Sequence, residues 1–155
     1  MHEFIIDSPI GKLTLTATDH AITGLAFVDE DNEASDSDTK PDLMMEAIRQ
    51  LNAYFEGKRE EFDLPLSPEG TDFQLRVWKK LQEIPYGSTT TYSQLSQKMG
   101  NPKAIRAIGR ANGQNPIPII IPCHRVIGAN NDLVGYAGGI ETKRWLLQHE
   151  GAVLL

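Results

Sequence analysis

The only thiol of this chain, Cys123, lies beside residue types that make a thiol nucleophilic. Cysteine becomes a nucleophile when a base removes its proton or when positive charge stabilises the thiolate, and His124 and Arg125 can supply either. A histidine that acts as a base needs an orienting partner, and the carboxylate of Glu150 is a candidate. The alternative is a buried structural cysteine, the commonest fate of a free thiol.

The segment that holds the thiol, residues 117–127, is apolar and is bracketed by prolines. With one cysteine the chain can form no internal disulfide and no cysteine-rich zinc cluster, which favours a reducing, cytoplasmic setting. The Met1-His2-Glu3 start has no basic secretion signal, and no apolar run approaches the roughly 18 residues of a membrane span. We therefore expect neither secretion nor membrane insertion.

Two short helices are predicted upstream of the thiol. Thr91 can cap the first, and Gly100-Asn101-Pro102 interrupts the chain after it. The second is predicted to open with Pro102 in its first turn and to end near Gly113. Two helices joined by a short glycine-containing turn form the helix-turn-helix pattern, which indicates DNA binding but also occurs in all-helical cores.

The second of these helices is basic and otherwise built from small residues. Its predicted basic face carries Lys103, Arg106 and Arg110. Its small residues, which permit close approach of another backbone, are Ala104, Ala107, Gly109 and Ala111. No Asp or Glu occurs between Glu83 and Asp132, and an acid-free stretch of this kind favours a phosphate-lined partner.

Charge divides the chain into two halves of opposite sign. The formal net charge is -6, but residues 1–70 hold 16 acidic and 5 basic residues, whereas residues 71–155 hold 5 acidic and 10 basic ones. Binding to a polyanion is therefore expected of the second half.

The first half predicts a small antiparallel sheet covered by one helix. Apolar and polar residues alternate over residues 1–28, which is typical of a strand meander, and the acidic residues 29–41 predict a solvated connector. A helix is predicted from Asp42 to Gly57, and residues 61–66 are a candidate edge strand. The apolar stripe predicted for this helix consists of Leu43, Ala47, Leu51 and Phe55, flanked by Met44 and Ile48.

The second half is predicted to be mostly helical. Besides the helix-turn-helix, Thr71 can cap a helix that ends before Pro85, and the residues from Lys143 to Glu150 predict an amphipathic C-terminal helix. The stiff segment of residues 65–70 marks the boundary between the halves. The fold class is therefore α+β: a small N-terminal α/β domain with an antiparallel sheet, followed by a mostly helical domain that contains a helix-turn-helix.

Several ordered motifs of the second half resemble those of the O6-alkylguanine-DNA alkyltransferases. They are Gly100 to Ala107, Asn115-Pro116, Pro122-Cys123-His124-Arg125-Val126, Gly135-Tyr136-Ala137-Gly138-Gly139 and Lys143 to Gly151. The layout resembles that of the short bacterial members. The resemblance implies a ribonuclease-H-like support domain over residues 1–67 and a DNA-binding, alkyl-acceptor domain over residues 68–155.

The resemblance implies direct-reversal repair of DNA, in which Cys123 attacks the alkyl carbon on guanine O6 and the base leaves. His124 would take the thiol proton through a water, Glu150 would orient His124, and Tyr92 would donate to guanine N3. O4-alkylthymine is a further candidate substrate. Because nothing in the sequence is suited to cleave the resulting thioether, we expect a single turnover, with no cofactor and no metal.

The resemblance also assigns the pocket that holds the base. Its residues are Asn115, Val126, Tyr136, Ala137 and Gly138. The carbonyls of Cys123 and Val126 would read the exocyclic amine, and the amides of Tyr136 and Ala137 would face O6. Many family members carry serine in place of Ala137, a change of little consequence if the backbone amide is the donor. Asn115 would tie the active-site turn to the helix-turn-helix.

A modified guanine cannot reach a thiol from inside a duplex, so the nucleotide must be extruded. Arg106 matches the arginine finger of the family, which takes the vacated place in the stack. The recognition helix of the family lies in the minor groove, where Lys103 and Arg110 would contact phosphates. Close approach there would come from Ala104, Ala107, Gly109 and Ala111. The expected partner is double-stranded DNA containing O6-alkylguanine, bound by a monomer.

Three other functions fit the sequence less well. An alkyltransferase-like lesion sensor that performs no chemistry is the main alternative, but it lacks the acceptor cysteine that Cys123 provides. A transcription regulator needs base-reading side chains and a dimerisation element, which the alanine-rich helix and the rest of the chain do not offer. A Cys-His hydrolase usually draws its two residues from separate elements, whereas here they are adjacent.

Overall fold

Three strands form an antiparallel meander at the N-terminus of the computed structural model, which describes residues 1–28, 41–133 and 135–152. They are β1 (His2–Ile6), β2 (Leu13–Ala17) and β3 (Ile22–Phe27), paired in that order. The predicted meander is thus confirmed. The predicted connector, except for Pro41, lies outside the described residues.

A register shift between Thr16 and Ala17 interrupts the regular pairing of β2 with β3. Ile22 and Leu25 are both buried although they are three positions apart, which a strictly alternating strand would not allow. The irregularity turns both side chains toward the same core.

One helix, α1 (Asp42–Phe55), accompanies the sheet in the N-terminal unit, Met1–Glu69. Its buried residues are Met44, Ala47, Gln50, Leu51 and Tyr54. The predicted stripe was therefore partly wrong, since Leu43 and Phe55 are only half-buried. Constant four-residue steps drift around a helix of 3.6 residues per turn, whereas alternating steps of three and four keep to one face.

The predicted edge strand at residues 61–66 does not form. The segment makes one bridge to β3, in which the amide of Ile22 donates to Pro65 O and the amide of Ser67 donates to Ile22 O, each at 2.8 Å. The backbone of Asp63 bonds instead to the side chain of Gln50, at 2.8 and 3.1 Å. A side-chain amide of α1 thus takes the place of a strand partner.

The C-terminal unit, Gly70–Leu155, opens with α2 (Asp72–Leu81), and its helix-turn-helix begins with α3 (Tyr92–Lys98). Both helices start at a threonine whose hydroxyl accepts the backbone N–H three residues later, while a glutamine side chain returns the bond. The predicted caps at Thr71 and Thr91 are confirmed. These local bonds fix where each helix begins.

The second helix of the pair, α4 (Ile105–Gly113), starts later than predicted. Pro102 and Lys103 form a turn, closed by the amide of Ala104 on Asn101 O at 3.0 Å. Gly100 precedes this turn with φ +73°, a conformation that glycine adopts without strain. The prediction that Pro102 lies in the first helical turn was therefore wrong, and the helix-turn-helix itself is present.

The last helix is α5 (Ile140–His149), which begins three residues before the predicted start and has Glu150 as its C-cap. Two short parallel strands, β4 (Thr90–Thr91) and β5 (Val126–Ile127), join distant parts of the C-terminal unit. No helix within the three described ranges is long and apolar enough to cross a bilayer.

Candidate functional site

The pairing of β4 with β5 sets the start of α3 beside the segment that carries the thiol. Thr90 pairs with Val126 and Thr91 with Ile127, so Tyr92, the first residue of α3, follows directly on this pairing. Cys123 opens a short 3-10 turn that leads into β5. A tyrosine and a cysteine more than thirty positions apart are thereby brought to one site.

A tight, buried loop leads into Cys123, and Asn115 spans it. The Asn115 side chain donates from Nδ2 to Ile121 O at 2.8 Å and accepts the amide of Ile117 at Oδ1 at 3.0 Å. Between these contacts Ile119 has φ +74°, a conformation that is strained for a β-branched residue. The side chain of Asn115 holds this loop closed at the end of α4.

A buried network of three side chains lies next to the thiol. His124 Nε2 is 2.8 Å from Glu150 Oε2, and Arg125 donates from Nε to Glu150 Oε1 at 2.8 Å and from Nη2 to Oε2 at 3.0 Å. Arg125 also donates from Nη1 to Ile84 O at 2.7 Å. The predicted pairing of His124 with Glu150 is therefore present in the geometry.

The network sets the protonation of its members. Burial lowers the pKa of His124, although the hydrogen bond and charge of Glu150 partly oppose this, so the imidazole is neutral at pH 7. Burial alone would raise the pKa of Glu150, but the hydrogen bonds from His124 and Arg125 outweigh it and bring the pKa to about 2. A neutral histidine that gives Nε2–H to a carboxylate keeps Nδ1 as a proton acceptor.

The Nδ1 atom of His124 is buried and has no hydrogen-bond partner among the described residues. A buried acceptor without a partner is costly in a structural role. The imidazole is thus poised to take a proton from a neighbouring group.

The thiol itself is buried and protonated in the free protein. Burial raises the pKa of Cys123 to about 11, and a hydrogen bond from Asn115 and the charge of Lys143 only partly offset this. Of the two candidates beside the thiol, Arg125 is engaged elsewhere, because its guanidinium donates to Glu150 and to Ile84 O. The thiol therefore needs a base at the moment of attack.

Lys143 is the cation that acts on the thiol, and sequence reasoning missed it. It is fully buried on α5, and its Nζ donates to Val126 O at 2.7 Å. Burial lowers the pKa of Lys143 to about 8, and a negative charge on Cys123 would raise it. A signal was present, because Lys143 shares a helical face with Leu146, Leu147 and Glu150.

Asn112 is a second residue that sequence reasoning missed. It is buried on α4, and its Nδ2 lies 3.4 Å from Cys123 O. It also hydrogen-bonds the phenol of Tyr92, whose pKa is raised by burial and lowered in part by this bond. One side chain thus contacts both the cysteine segment and the tyrosine.

The predicted pocket residues differ in their burial and in their interactions. Burial raises the pKa of Tyr136, and the charges of Cys123 and Glu150 reinforce the effect, which puts this phenol within electrostatic reach of both. Ala137 is exposed and Gly138 half-buried. The carbonyl of Val126 already accepts Lys143, but its second lone pair remains able to accept.

The basic surface of the helix-turn-helix differs from the predicted face in two ways. Lys103 is exposed but lies in the turn before α4, whereas Arg106 and Arg110 are exposed on α4 itself. Ala111 is not on the bare surface, because it is buried where Trp78 Nε1 donates to its carbonyl at 2.8 Å. The three remaining small positions, all half-buried, are Ala104, Ala107 and Gly109.

Gly109 connects this surface to the site. A Cβ at this position would lie 3.8 Å from the ring of Tyr92, so the ring packs beside bare helix backbone. Within the described residues no group of three or more His, Cys, Asp or Glu side chains is placed to hold a metal ion.

Family models match nearly the whole chain. Residues 72–152 match the model described as 6-O-methylguanine DNA methyltransferase, DNA binding domain. Residues 1–68 match the model described as 6-O-methylguanine DNA methyltransferase, ribonuclease-like domain.

Individual proteins match over the same extent. The methylated-DNA--protein-cysteine methyltransferase of Mycobacterium bovis is 51% identical over 152 residues, covering 97% of this chain and 92% of that protein. The protein of the same name from Methanosarcina acetivorans is 46% identical, covering 98% of this chain and 99% of that protein. A crystal structure of Mycobacterium tuberculosis OGT in complex with DNA has a TM-score of 0.85 at 49% identity, covering 95% of this chain and 91% of that one.

Proposed function

The chain belongs to the 6-O-methylguanine DNA methyltransferase family, and we propose that Cys123 is the residue to which it transfers the methyl group. The reaction is direct-reversal repair of DNA by transfer from the damaged base to a cysteine of the protein itself. One observation carries the assignment of the acceptor: the only cysteine of the chain is buried beside the His124–Glu150 pair.

The transfer step follows from the geometry of this pair. The sulfur of Cys123 forms a bond to the methyl carbon as the bond from carbon to guanine O6 breaks, and the electron pair of that bond passes into the guanine ring. The thiol proton goes through a water to Nδ1 of His124, whose Nε2–H is held by Glu150. Because the thiol is protonated before attack, this proton transfer accompanies the displacement.

The leaving group needs a proton, and Tyr92 is placed to give it. Its phenol hydroxyl donates to guanine N3 and is then reprotonated from His124, so that the thiol proton ends on guanine. Lys143 stabilises the thiolate that develops on Cys123 during attack. The product is a thioether on the only cysteine, which limits each molecule to one turnover.

The base is recognised by backbone groups around the thiol. The carbonyls of Cys123 and Val126 accept the exocyclic amine of guanine, and the amides of Tyr136 and Ala137 donate to O6. Asn115 keeps the loop before Cys123 in its strained shape, and Gly138 permits the tight turn after Ala137. O4-alkylthymine presents a similar alkyl group at the same edge and is a second candidate substrate.

The partner of the protein is DNA, and we place its contacts on the helix-turn-helix. The exposed Arg106 enters the stack when the damaged nucleotide turns into the pocket, and Lys103 and Arg110 contact phosphates. The small residues Ala104, Ala107 and Gly109 let α4 approach the floor of the minor groove.

The two domains of the chain have different roles. Residues 1–67 act as the support domain, and residues 68–155 bind DNA and accept the alkyl group. The protein binds as a monomer, because the recognition of a single damaged base needs no second half-site. We also propose a cytoplasmic location, which a reactive thiol without a disulfide partner favours.

Intact-protein mass spectrometry tests the function directly. After mixing with an equimolar duplex that contains O6-methylguanine, the protein is expected to gain one methyl group, which peptide mapping places on Cys123. An unmodified duplex of the same sequence is the control and should give no gain. If the protein instead binds the damaged duplex tightly without gaining a methyl group, it is a lesion sensor and Cys123 is a pocket residue.

Replacing Arg106 with alanine is expected to slow repair of duplex DNA by about tenfold to a hundredfold, because extrusion of a base costs a few kcal/mol. Reaction with O6-methylguanine as a free base should change by less than about twofold, since a free base needs no extrusion. Rates of methyl transfer from the two substrates under single-turnover conditions check this.

The matched control for Arg106 is Arg110→Ala, one helical turn later and also exposed. A phosphate contact at Arg110 should weaken binding to damaged and undamaged duplex alike and leave the rate at saturating DNA unchanged. Equal reaction of Arg106→Ala with duplex and with free base, each at the wild-type rate, would contradict the finger assignment.

A further inference from the structure

Asn112 is a buried polar side chain that the proposed mechanism does not use. It lies on the inward face of α4 together with Ile108 and Ala111 and is about as buried as these apolar neighbours. Burying a primary amide is unfavourable unless its polar atoms are bonded. An apolar residue would satisfy the packing of this face, so the amide at this position calls for a specific partner.

The partners of Asn112 are two parts of the site described above. Its Nδ2 lies 3.4 Å from the carbonyl oxygen of Cys123, and its side chain hydrogen-bonds the phenol of Tyr92. Because Oδ1 of Asn112 has no hydrogen-bond partner among the described residues, the bond to Tyr92 leaves from Nδ2, so the amide donates and the phenol oxygen accepts. Each hydrogen of the amide group thus has one of the two partners.

The other end of the amide has no such role. Oδ1 of Asn112 is buried and has no hydrogen-bond partner among the described residues. An asparagine that only filled space or only braced the helix would bond through both ends. The two hydrogen bonds from Nδ2 therefore explain why residue 112 is an asparagine.

Donation to the phenol oxygen has a chemical consequence for Tyr92. A hydroxyl oxygen that accepts a hydrogen bond turns its own O–H away from the donor. When that O–H in turn donates to an acceptor, the two consecutive hydrogen bonds strengthen each other, so the O–H becomes a stronger donor. On its other side the same amide holds the Cys123 carbonyl, which belongs to the residue that attacks. One rigid group thus fixes the relative positions of the proton donor and the acceptor segment.

We infer that Asn112 is a positioning residue for methyl transfer: it directs the Tyr92 hydroxyl at the leaving guanine and holds it in register with Cys123. The inference rests on the function proposed above, in which Tyr92 donates to guanine N3. Asn112 touches neither the methyl group nor the base and acts through Tyr92 and the Cys123 backbone.

A double-mutant cycle tests this role. Asn112→Leu, which keeps the branching at Cγ and removes the donor, is expected to slow methyl transfer from an O6-methylguanine duplex by about tenfold or more, as loss of general-acid assistance does. Tyr92→Phe should slow it at least as much, and the double variant should be no slower than Tyr92→Phe alone. Binding of the damaged duplex should change by less than about twofold.

A substrate analogue separates positioning from structural damage. In a duplex whose O6-methylguanine carries carbon in place of N3, the base cannot accept from Tyr92, so Asn112→Leu should react at the wild-type rate for that analogue. Ser96→Ala is the matched control, because Ser96 is buried in α3 and its hydroxyl donates to Ser93 O at 2.7 Å. It should leave all rates unchanged.

The possible results distinguish failure of the positioning role of Asn112 from failure of proton donation by Tyr92. Equal slowing of Asn112→Leu on both substrates, or slowing that adds to that of Tyr92→Phe, would overturn the positioning role while leaving transfer to Cys123 intact. A wild-type rate for Tyr92→Phe would remove the premise and the inference together, and mass spectrometry of the same samples would still show whether Cys123 is methylated. If Asn112→Leu does not fold, Asn112→Ser, which is too short to reach both partners, replaces it in the same cycle.

Discussion

Replacing Cys123 with alanine is expected to abolish methyl transfer completely while leaving binding to a duplex with O6-methylguanine intact. The loss is total because the chain has no second thiol to accept the methyl group. Binding survives because the groups proposed to read the base are backbone carbonyls and amides, which alanine retains. Removing a small buried side chain should lower the free energy of unfolding by only about 1 kcal/mol.

Two measurements check this prediction together. Fluorescence anisotropy compares the affinity of wild type and Cys123→Ala for damaged and undamaged duplex, and intact mass after prolonged incubation reports any methyl gain. Cys123→Ser is the control, since it keeps a polar group of similar size and should be inactive because an alcohol is a far weaker nucleophile than a thiol. A methyl group recovered on another residue of the alanine variant would refute the assignment of the acceptor.

The parts of the fold that local signals specify were predictable from the sequence. Thr71 and Thr91 each precede a glutamine by three positions, and both capping boxes form. The start of α4 carries no such side-chain cap, and there the prediction failed. Pro102 is compatible with a first helical turn but equally with the turn that the amide of Ala104 closes, and only the tertiary structure decides between them.

The long-range features of the fold had no comparable signal. Strands β4 and β5 have two residues each, too few to show any periodicity, yet their pairing brings Tyr92 to the thiol segment. Apolar residues occupy every second position of residues 61–66, as in a strand, but Gln50 takes the backbone hydrogen bonds of Asp63. In both cases a contact between distant residues overrides a weak local preference.

The candidate site also combines residues that the sequence predicted with interactions that it did not. Cys123, His124 and Glu150 follow from reading adjacent residue types and from the family resemblance, and the geometry brings them together. The cation that lowers the pKa of Cys123 could not be identified from neighbouring positions in the sequence. Arg125 bonds to Glu150, and the cation that acts on the thiol is Lys143. A reading of α5 by helical face would have found Lys143, because it shares the buried face with Glu150.

Replacing Glu150 with glutamine is expected to have the largest effect on stability of any change in the site. Within the described part of the chain, Glu150 accepts one hydrogen bond from His124 and two from Arg125. A neutral amide leaves the buried guanidinium uncompensated, which costs on the order of 3–5 kcal/mol. Methyl transfer should also slow, because His124 loses the partner that holds Nε2–H and keeps Nδ1 as the acceptor.

The pH dependence of the free energy of unfolding shows whether the Glu150→Gln variant loses stability because the carboxylate charge is gone or because the packing is disturbed. The pKa of Glu150 is lowered to about 2, so its contribution to stability is complete above its ordinary value of 4.5 and fades as the pH falls from about 5 toward 2. The pKa of His124 is also lowered, so protonation of the unfolded chain removes further stability below pH 6.5. Urea unfolding of wild type and Glu150→Gln should therefore show a large difference at pH 7 that shrinks below pH 5.

The same helix supplies the control for this experiment. Glu141 is exposed and pairs with Arg144 three residues later, so Glu141→Gln removes an ion pair of the same type from the surface, where such pairs contribute roughly 0–1 kcal/mol. That variant should keep the wild-type dependence on pH and the wild-type transfer rate. A Glu150→Gln protein whose stability deficit persists undiminished to pH 3 would show that the carboxylate stabilises the fold through its shape alone. In that case the negative charge of Glu150 does not hold Arg125 and His124 in place.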